Sequence, residues 1–181
     1  MIPTRSILVN EKISLHPPVP EDAAAIFRTI DEHRESLRTW LPFVDFTKTQ
    51  QDSENFLGSV VDSEEILFII RFEDVFAGLI GLKNPDHMNH KVEIGYWLNP
   101  LFEGKGIVTL SCYQLIQYAF RKLNMNRILI QVATGNQKSR RIPERLGFQE
   151  EGIERDGELL VSGYTDIVKY GLLKREFYGN N

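Results

Sequence analysis

The chain predicts a mixed α/β fold built on a largely antiparallel sheet. Apolar, β-favouring segments crowd the middle of the chain, over 66–72, 75–82 and 92–98, and short polar turns join them. Connections that short suit antiparallel neighbours. Segments with helical apolar spacing precede and follow this block rather than alternating with it strand by strand, so the regular doubly wound nucleotide-binding arrangement is not expected. The 181 residues suit a single domain, expected over 1–181, that is large enough to bury a core.

Each element has its own warrant. Ile7, Val9, Ile13 and Leu15 alternate around Asn10-Glu11 and predict a strand or hairpin, which Pro17, Pro18 and Pro20 end. Glu21 and Asp22 place acid at a helix start, and Ala23, Ile26, Phe27 and Ile30 follow at helical spacing. A short second helix is expected over about 34–40, closed by Pro42. A third is expected over 50–61, with Thr49 as its cap and Phe56, Leu57, Val60 and Val61 as its apolar face. Strands 66–72 and 75–82 flank Glu73-Asp74, and 84–89 reads as a polar loop. The strand over 92–98 stops at Asn99-Pro100, because proline cannot donate to a ladder. A helix is expected over about 105–123, and a strand over 127–134. Gly135-Asn136 opens a last helix that Gly147 ends, and 148–154 and 159–173 read as closing strands.

Charge and composition exclude several classes. The net charge of −4 argues against a general nucleic-acid or anionic-membrane binder. No apolar run is long enough to span a membrane and no signal-peptide pattern opens the chain, so a cytoplasmic location is the expectation. The lone Cys112 cannot form an internal disulfide and is expected to be a buried, inert thiol. His16, His33, His87 and His90 show no metal-ligand spacing, so no metal is expected. No G-x-S-x-G elbow points to a serine hydrolase. Trp40, Phe43 and Phe46 are expected in the core, with a substrate groove as the alternative.

Two stretches carry chemistry. In the first, VEIGYWLNPLFEGKGIVT, a strand leads through a turn to Gly104-Lys105-Gly106 and a helix start. Glycines there leave backbone N–H groups bare at the positive end of a helix dipole, which makes an anion site. The same glycines could serve a tight strand-to-helix turn and nothing more. Thr109 stands where a dinucleotide fingerprint would need its third glycine. In the second, NQKSRRIPERLGFQEEG, Asn136 is a good cap and Ser139 lies in the first helical turn, where a hydroxyl can reach a ligand beyond the helix end. Lys138, Arg140 and Arg141 form a basic knot in an acidic chain, and Lys105 is expected to join it. Singly, these residues read equally as a cap, a solvated hydroxyl and a wet helix face.

Together the stretches resemble the GNAT-type N-acetyltransferases, most closely their RimJ/RimL branch. DAAAIFRTIDEHRESLRTWLPF resembles the branch's opening helices, EIGYWLNPLFEGKG its acetyl-CoA strand and pyrophosphate loop, and Asn136, Ser139, ERLGF and EG its second signature. The resemblance implies a GNAT-like fold whose central sheet is splayed and flanked by helices. It implies acetyl-CoA as co-substrate. The pyrophosphate would lie on Gly104, Lys105, Gly106, Ile107, Val108 and Thr109, and the pantetheine arm along the strand ending at Trp97-Leu98, freed by an interruption near Gly95. The outer phosphate would meet Lys138, Arg140, Arg141 and Lys105, beside the Asn136 cap. Ser139 would meet the departing thiolate, and Glu158 is the first choice of proton acceptor, Glu93 the second. Two departures stand out: Leu101 replaces the usual Gln or Arg before the loop, and Pro143 should cost its helix a hydrogen bond. The branch implies a protein N-terminal α-amine as acceptor, by analogy a ribosomal one, and a homodimer joined near the opening helices or closing strands. A small amine (polyamine, amino sugar or antibiotic) is the alternative acceptor, and a non-catalytic acyl-CoA-binding regulatory module the alternative class.

Overall fold

The computed structural model describes residues 5–61 and 63–179, so the outermost ends of the expected 1–181 span lie outside it. In chain order the elements are β1 (Ile7–Leu8), β2 (Ile13–His16), α1 (Asp22–Glu32), α2 (Arg34–Leu37), a 3-10 turn (Pro42–Asp45) and α3 (Gln50–Val61). There follow β3 (Ile66–Phe72), β4 (Val75–Asp86), β5 (Lys91–Leu98), a 3-10 turn (Pro100–Phe102), α4 (Ile107–Lys122) and β6 (Arg127–Ala133). The chain closes with α5 (Gln137–Arg145), β7 (Gln149–Leu160), β8 (Gly163–Leu173) and α6 (Lys174–Gly179). The strands form one sheet in the order β1-β2-β3-β4-β5-β6-β8-β7. Every neighbouring pair is antiparallel except β5 and β6.

Strand alternation sorts the apolar residues to two faces. Phe68, Ile70, Ile80, Leu82, Ile94, Ile128 and Ile130 turn toward α4, where Ile107, Cys112, Leu115, Ile116 and Phe120 complete the larger core. Ile69, Leu79 and Trp97 turn the other way, onto Ala23, Ile26 and Ile30 of α1, Leu37 of α2 and Leu57 of α3. Cys112 is fully buried, and burial pushes its thiol pKa far up, as befits an inert core residue. The parallel join of β5 to β6 holds for only three pairs, Lys91 to Glu93 against Arg127 to Leu129, after which the strands part. Their outer edges stay laddered, β5 to β4 as far as Leu98 and β6 to β8 as far as Ala133. The result is a wedge-shaped gap in the middle of the sheet.

Several boundaries differ from the sequence expectation. The helix expected from about 105 begins at Ile107, because Gly104 and Gly106 are left-handed, at φ 77° and 73°. The short helix expected over 34–40 stops at Leu37 and unwinds through turns to the 3-10 segment that Pro42 opens. β4 runs on to Asp86 through an irregularity after Lys83, with Asn84 left-handed at φ 52°, so half of the expected 84–89 loop is strand. The closing strands are a long hairpin that turns after Leu160, and α6 has no counterpart in the sequence reading.

Arg34 fastens the loop after α2. Its guanidinium donates to the Val44 carbonyl at 2.5 Å and the Thr47 carbonyl at 2.8 Å, and pairs with Asp31 at 3.1 Å. That loop carries Phe43 and Phe46. Arg34→Ala should therefore lower unfolding stability by about 2 kcal/mol, the scale of charged hydrogen bonds, read from a denaturant midpoint.

Candidate active site

The gap between β5 and β6 is a cavity of about 340 Å³. Glu93, Gly95 and Tyr96 form its β5 wall, Gln131 faces them from β6, and Ser139 and Glu158 close its two sides. It therefore brings together all three residues for which the sequence suggested chemistry at the acyl group. The interruption lies where the resemblance put it, just before Gly95, on the edge facing β6 alone: Gly95 remains paired with Gly81 of β4.

The glycine loop is open. A Cβ built on Gly104 or Gly106 would meet no atom within 4 Å. Their left-handed φ values are ones an L side chain adopts only under strain. The N–H groups of residues 104–109 have no acceptor among the described residues, whereas the Leu110 N–H already donates to the Gly106 carbonyl at 3.0 Å. Six successive donors, in the loop before α4 and in its first turn, are thus left unclaimed by the described residues. Ile107 and Val108 bury their side chains in the core, so these positions offer only backbone. This arrangement fits a diphosphate, with each such hydrogen bond worth roughly 1.5–3 kcal/mol.

The four expected cations divide. Lys105 reaches across the Phe72 ring, 5.3 Å from its centre, and Lys138 pairs with Glu103 at 2.5 Å; both are exposed. Arg141 is exposed and pairs with no described residue. Arg140 differs from the expectation. Its Nε donates to the Tyr170 hydroxyl at 3.0 Å, and its other nitrogens to the Thr134 carbonyl and Glu150. Tyr170 in turn donates to Glu144 at 3.2 Å. The Tyr170 hydrogen bond, first among the causes, raises the Arg140 pKa further. Arg140 is spent on tying α5 to β8, a tertiary use that helical spacing does not reveal.

At the start of α5, Asn136 caps as expected, its Oδ1 accepting the Ser139 N–H at 3.2 Å. Ser139 Oγ donates to the Tyr96 hydroxyl at 3.1 Å, and that hydroxyl donates to the Ser139 carbonyl at 3.2 Å. Burial drives the Tyr96 pKa well above its ordinary value, so it is a neutral phenol at any working pH. Tyr96 was missed by sequence reading, where it passed as one more aromatic in a strand.

The two carboxylates stand apart in kind. Glu93 is only 4% exposed and receives Lys83 Nζ at 3.0 Å, Gln131 Nε2 at 2.9 Å and Asn84 Nδ2 at 3.3 Å. Glu158 reaches the cavity from exposed β7 and has no hydrogen-bond donor among the described residues. Desolvation pushes its pKa above the usual glutamate value, with Lys83 opposing and Glu93 adding to the rise. Lys83, which faces both acids, was also not singled out by the sequence.

A second cavity of about 650 Å³ opens on the α1–α3 side and shares Trp40, Leu41, Lys83, Gly95, Tyr96 and Glu158 with the first. Phe43 and Phe46 line it and are 40% and 79% exposed, so the expectation that they pack in the core is corrected. Arg34 holds their loop against the helices by its backbone, which leaves the rings to face the cavity. Among the described residues, no group of three or more His, Cys, Asp and Glu is placed to hold a metal, and no helix is long and apolar enough to cross a membrane. Removing the cap by Asn136→Ala should cost about 1 kcal/mol, seen as a lower thermal midpoint.

Comparison with known proteins agrees with this geometry. Residues 12–149 match the acetyltransferase (GNAT) domain family. A Bacillus subtilis (strain 168) protein provisionally named a ribosomal N-acetyltransferase, YdaF, is 38% identical over 94% of this chain and 96% of its own. The ribosomal-protein-serine acetyltransferase of Escherichia coli (strain K12) is 26% identical over 92% of this chain and 96% of its own. Among solved structures, the microcin C7 self-immunity acetyltransferase MccE, in complex with acetyl-CoA and AMP, superposes with a TM-score of 0.89 at 27% identity, covering 95% of this chain and 98% of that one. The chain belongs to the GNAT family of N-acetyltransferases and is most like its RimJ/RimL branch.

Proposed function

We propose that this enzyme transfers the acetyl group of acetyl-CoA to the N-terminal α-amine of a protein, a ribosomal one by the names of its relatives. The observation that carries the reading is the row of unclaimed amides at 104–109, a short way past the end of β5, whose parting from β6 leaves a gap lined by Ser139 and Glu158. Acetyl-CoA supplies an activated thioester, and the MccE structure shows a relative that holds it. The amides of Gly104 to Thr109 cradle its diphosphate, with Lys105, Lys138 and Arg141 as the cations in reach of the outer phosphate. Arg140 ties α5 to β8, and Asn136 caps α5 at the wall of the cavity. The β5 edge through Trp97 and Leu98, free of β6, pairs with the amides of the pantetheine arm as an added strand would.

Glu158 is the proton acceptor. An α-amine has an ordinary pKa near 7.7–8.0, so at neutral pH an appreciable fraction is already the free base. A carboxylate beside it need only accept the proton lost as the C–N bond forms. Glu93 already accepts from three donors and serves instead to hold Lys83 between the acids. Ser139 Oγ faces the departing sulfur and donates to it as the C–S bond breaks.

A second reading, a polycationic small amine as acceptor, draws on one observation. Asp52, Glu65 and Glu158 all line the larger cavity. Incubation with labelled acetyl-CoA and a cell extract separates the two readings: label on protein N-termini supports the first, and label on small molecules alone overturns it. The expected homodimer also remains a proposal, supported by the unpaired outer edge of β7 and its exposed Ile153 and Leu159; light scattering at the dimer mass tests it.

Ser139→Ala and Glu158→Gln should each cut turnover by about tenfold or more while calorimetry still shows acetyl-CoA binding. Unchanged turnover in both rejects these roles. The pH profile adds a sign. A base must be deprotonated, so the raised Glu158 pKa of the free enzyme places its contribution to the acid limb of kcat/KM above the ordinary glutamate range. Lys83 is the group that lowers that pKa, so Lys83→Met should move the limb to higher pH.

A further inference from the structure

We infer that Pro143 and Tyr96 form a positioning device for Ser139, an inference that rests on the proposed role of Ser139 at the thioester. It begins with a missing atom. In an α-helix the N–H of residue 143 would donate to the carbonyl of residue 139. Proline has no N–H, and Pro143 lies inside α5 and is buried. The Ser139 carbonyl is therefore left without its helical donor.

The Tyr96 hydroxyl takes that place, donating to the Ser139 carbonyl at 3.2 Å from the far side of the parted sheet. With its hydrogen committed, the phenol oxygen presents only lone pairs, and Ser139 Oγ donates to one of them at 3.1 Å. Serine and tyrosine are thus clasped at two points. The clasp fixes the Ser139 side chain on the cavity wall, and both residues line that wall. An ordinary residue at 143 would offer that carbonyl a second, axial N–H, and a carbonyl drawn back toward the helix axis would hold Tyr96 less firmly although its oxygen can accept twice. The phenol would then be freer to turn, and the serine with it.

The clasp also specifies how Ser139 works. At rest its hydroxyl hydrogen points at Tyr96, a neutral acceptor on the cavity wall. When negative charge grows on a sulfur in the cavity, the hydrogen swings from phenol to sulfur, a stronger acceptor. The serine oxygen stays in place because the backbone of its own residue is held by the same tyrosine. Tyr96 and Pro143 need touch no substrate and act through Ser139.

The test is a double-mutant cycle on the full-length enzyme with acetyl-CoA and whichever amine it turns over. Tyr96→Phe keeps the ring and removes the clasp; kcat should fall about tenfold, with acetyl-CoA affinity by calorimetry within twofold. Pro143→Ala restores the N–H and suits a helix better, so its thermal midpoint should hold or rise while kcat drops several-fold. Joined, the two substitutions should cost no more than Tyr96→Phe alone, because both break one clasp. Multiplicative losses, or wild-type kcat in Pro143→Ala, overturn the inference. A slow Ser139→Ala beside a wild-type Tyr96→Phe overturns the clasp alone, whereas a wild-type Ser139→Ala overturns the role of the serine and the clasp with it.

Discussion

The parting of β5 from β6 after three residue pairs is the constraint on which the rest of the molecule depends. Unsatisfied strand edges inside a protein are costly, because buried amides need partners. The chain tolerates this one because each strand is anchored along its other edge, β5 on β4 and β6 on β8. Side chains then occupy the gap. On one face Gln131 bridges to Glu93, and on the other Tyr96 reaches to Ser139 on α5. The parting exposes both faces of the sheet to one cavity, so groups that strand alternation would keep apart can act on one bond.

That geometry gives the two sides of the cavity different characters. The α4–α5 side presents the Tyr96–Ser139 pair, suited to a departing sulfur, and the glycine-led N-terminus of α4 lies on that same face of the sheet, suited to an anion. The α1–α3 side presents Glu158, Lys83 and an apolar hollow lined by Trp40, Phe43 and Phe46, a set suited to an incoming amine and what it is attached to. The larger part of the energy that holds these sides in place lies in the two apolar cores, not in the polar groups.

Local signals were legible in the sequence and long-range ones were not. Gly104, Gly106, Asn136 and Ser139 announce themselves by what they do to their own backbone, and the structure has them as a bare helix start and a cap. The strand order through 66–98 followed from turn spacing. The start of α4 slipped by two residues because periodicity cannot tell a left-handed linker from a first helical turn. Arg140 read as a surface cation, and its burden, Tyr170, lies 30 residues away. Pro143 read as a defect of its own helix until the tyrosine that answers it, 43 residues from the serine, was in view. Phe46 read as core because a large aromatic usually is; the turn that Arg34 holds exposes it instead.

Hydrogen–deuterium exchange with and without acetyl-CoA tests the central claim most directly. The account predicts that the amides of residues 104–109 and those β5 amides beyond Gly95 that face the gap rather than β4 exchange fast in the free protein and become protected together when acetyl-CoA is added. Protection confined to other segments, or fast exchange at these amides at saturating acetyl-CoA, would contradict it.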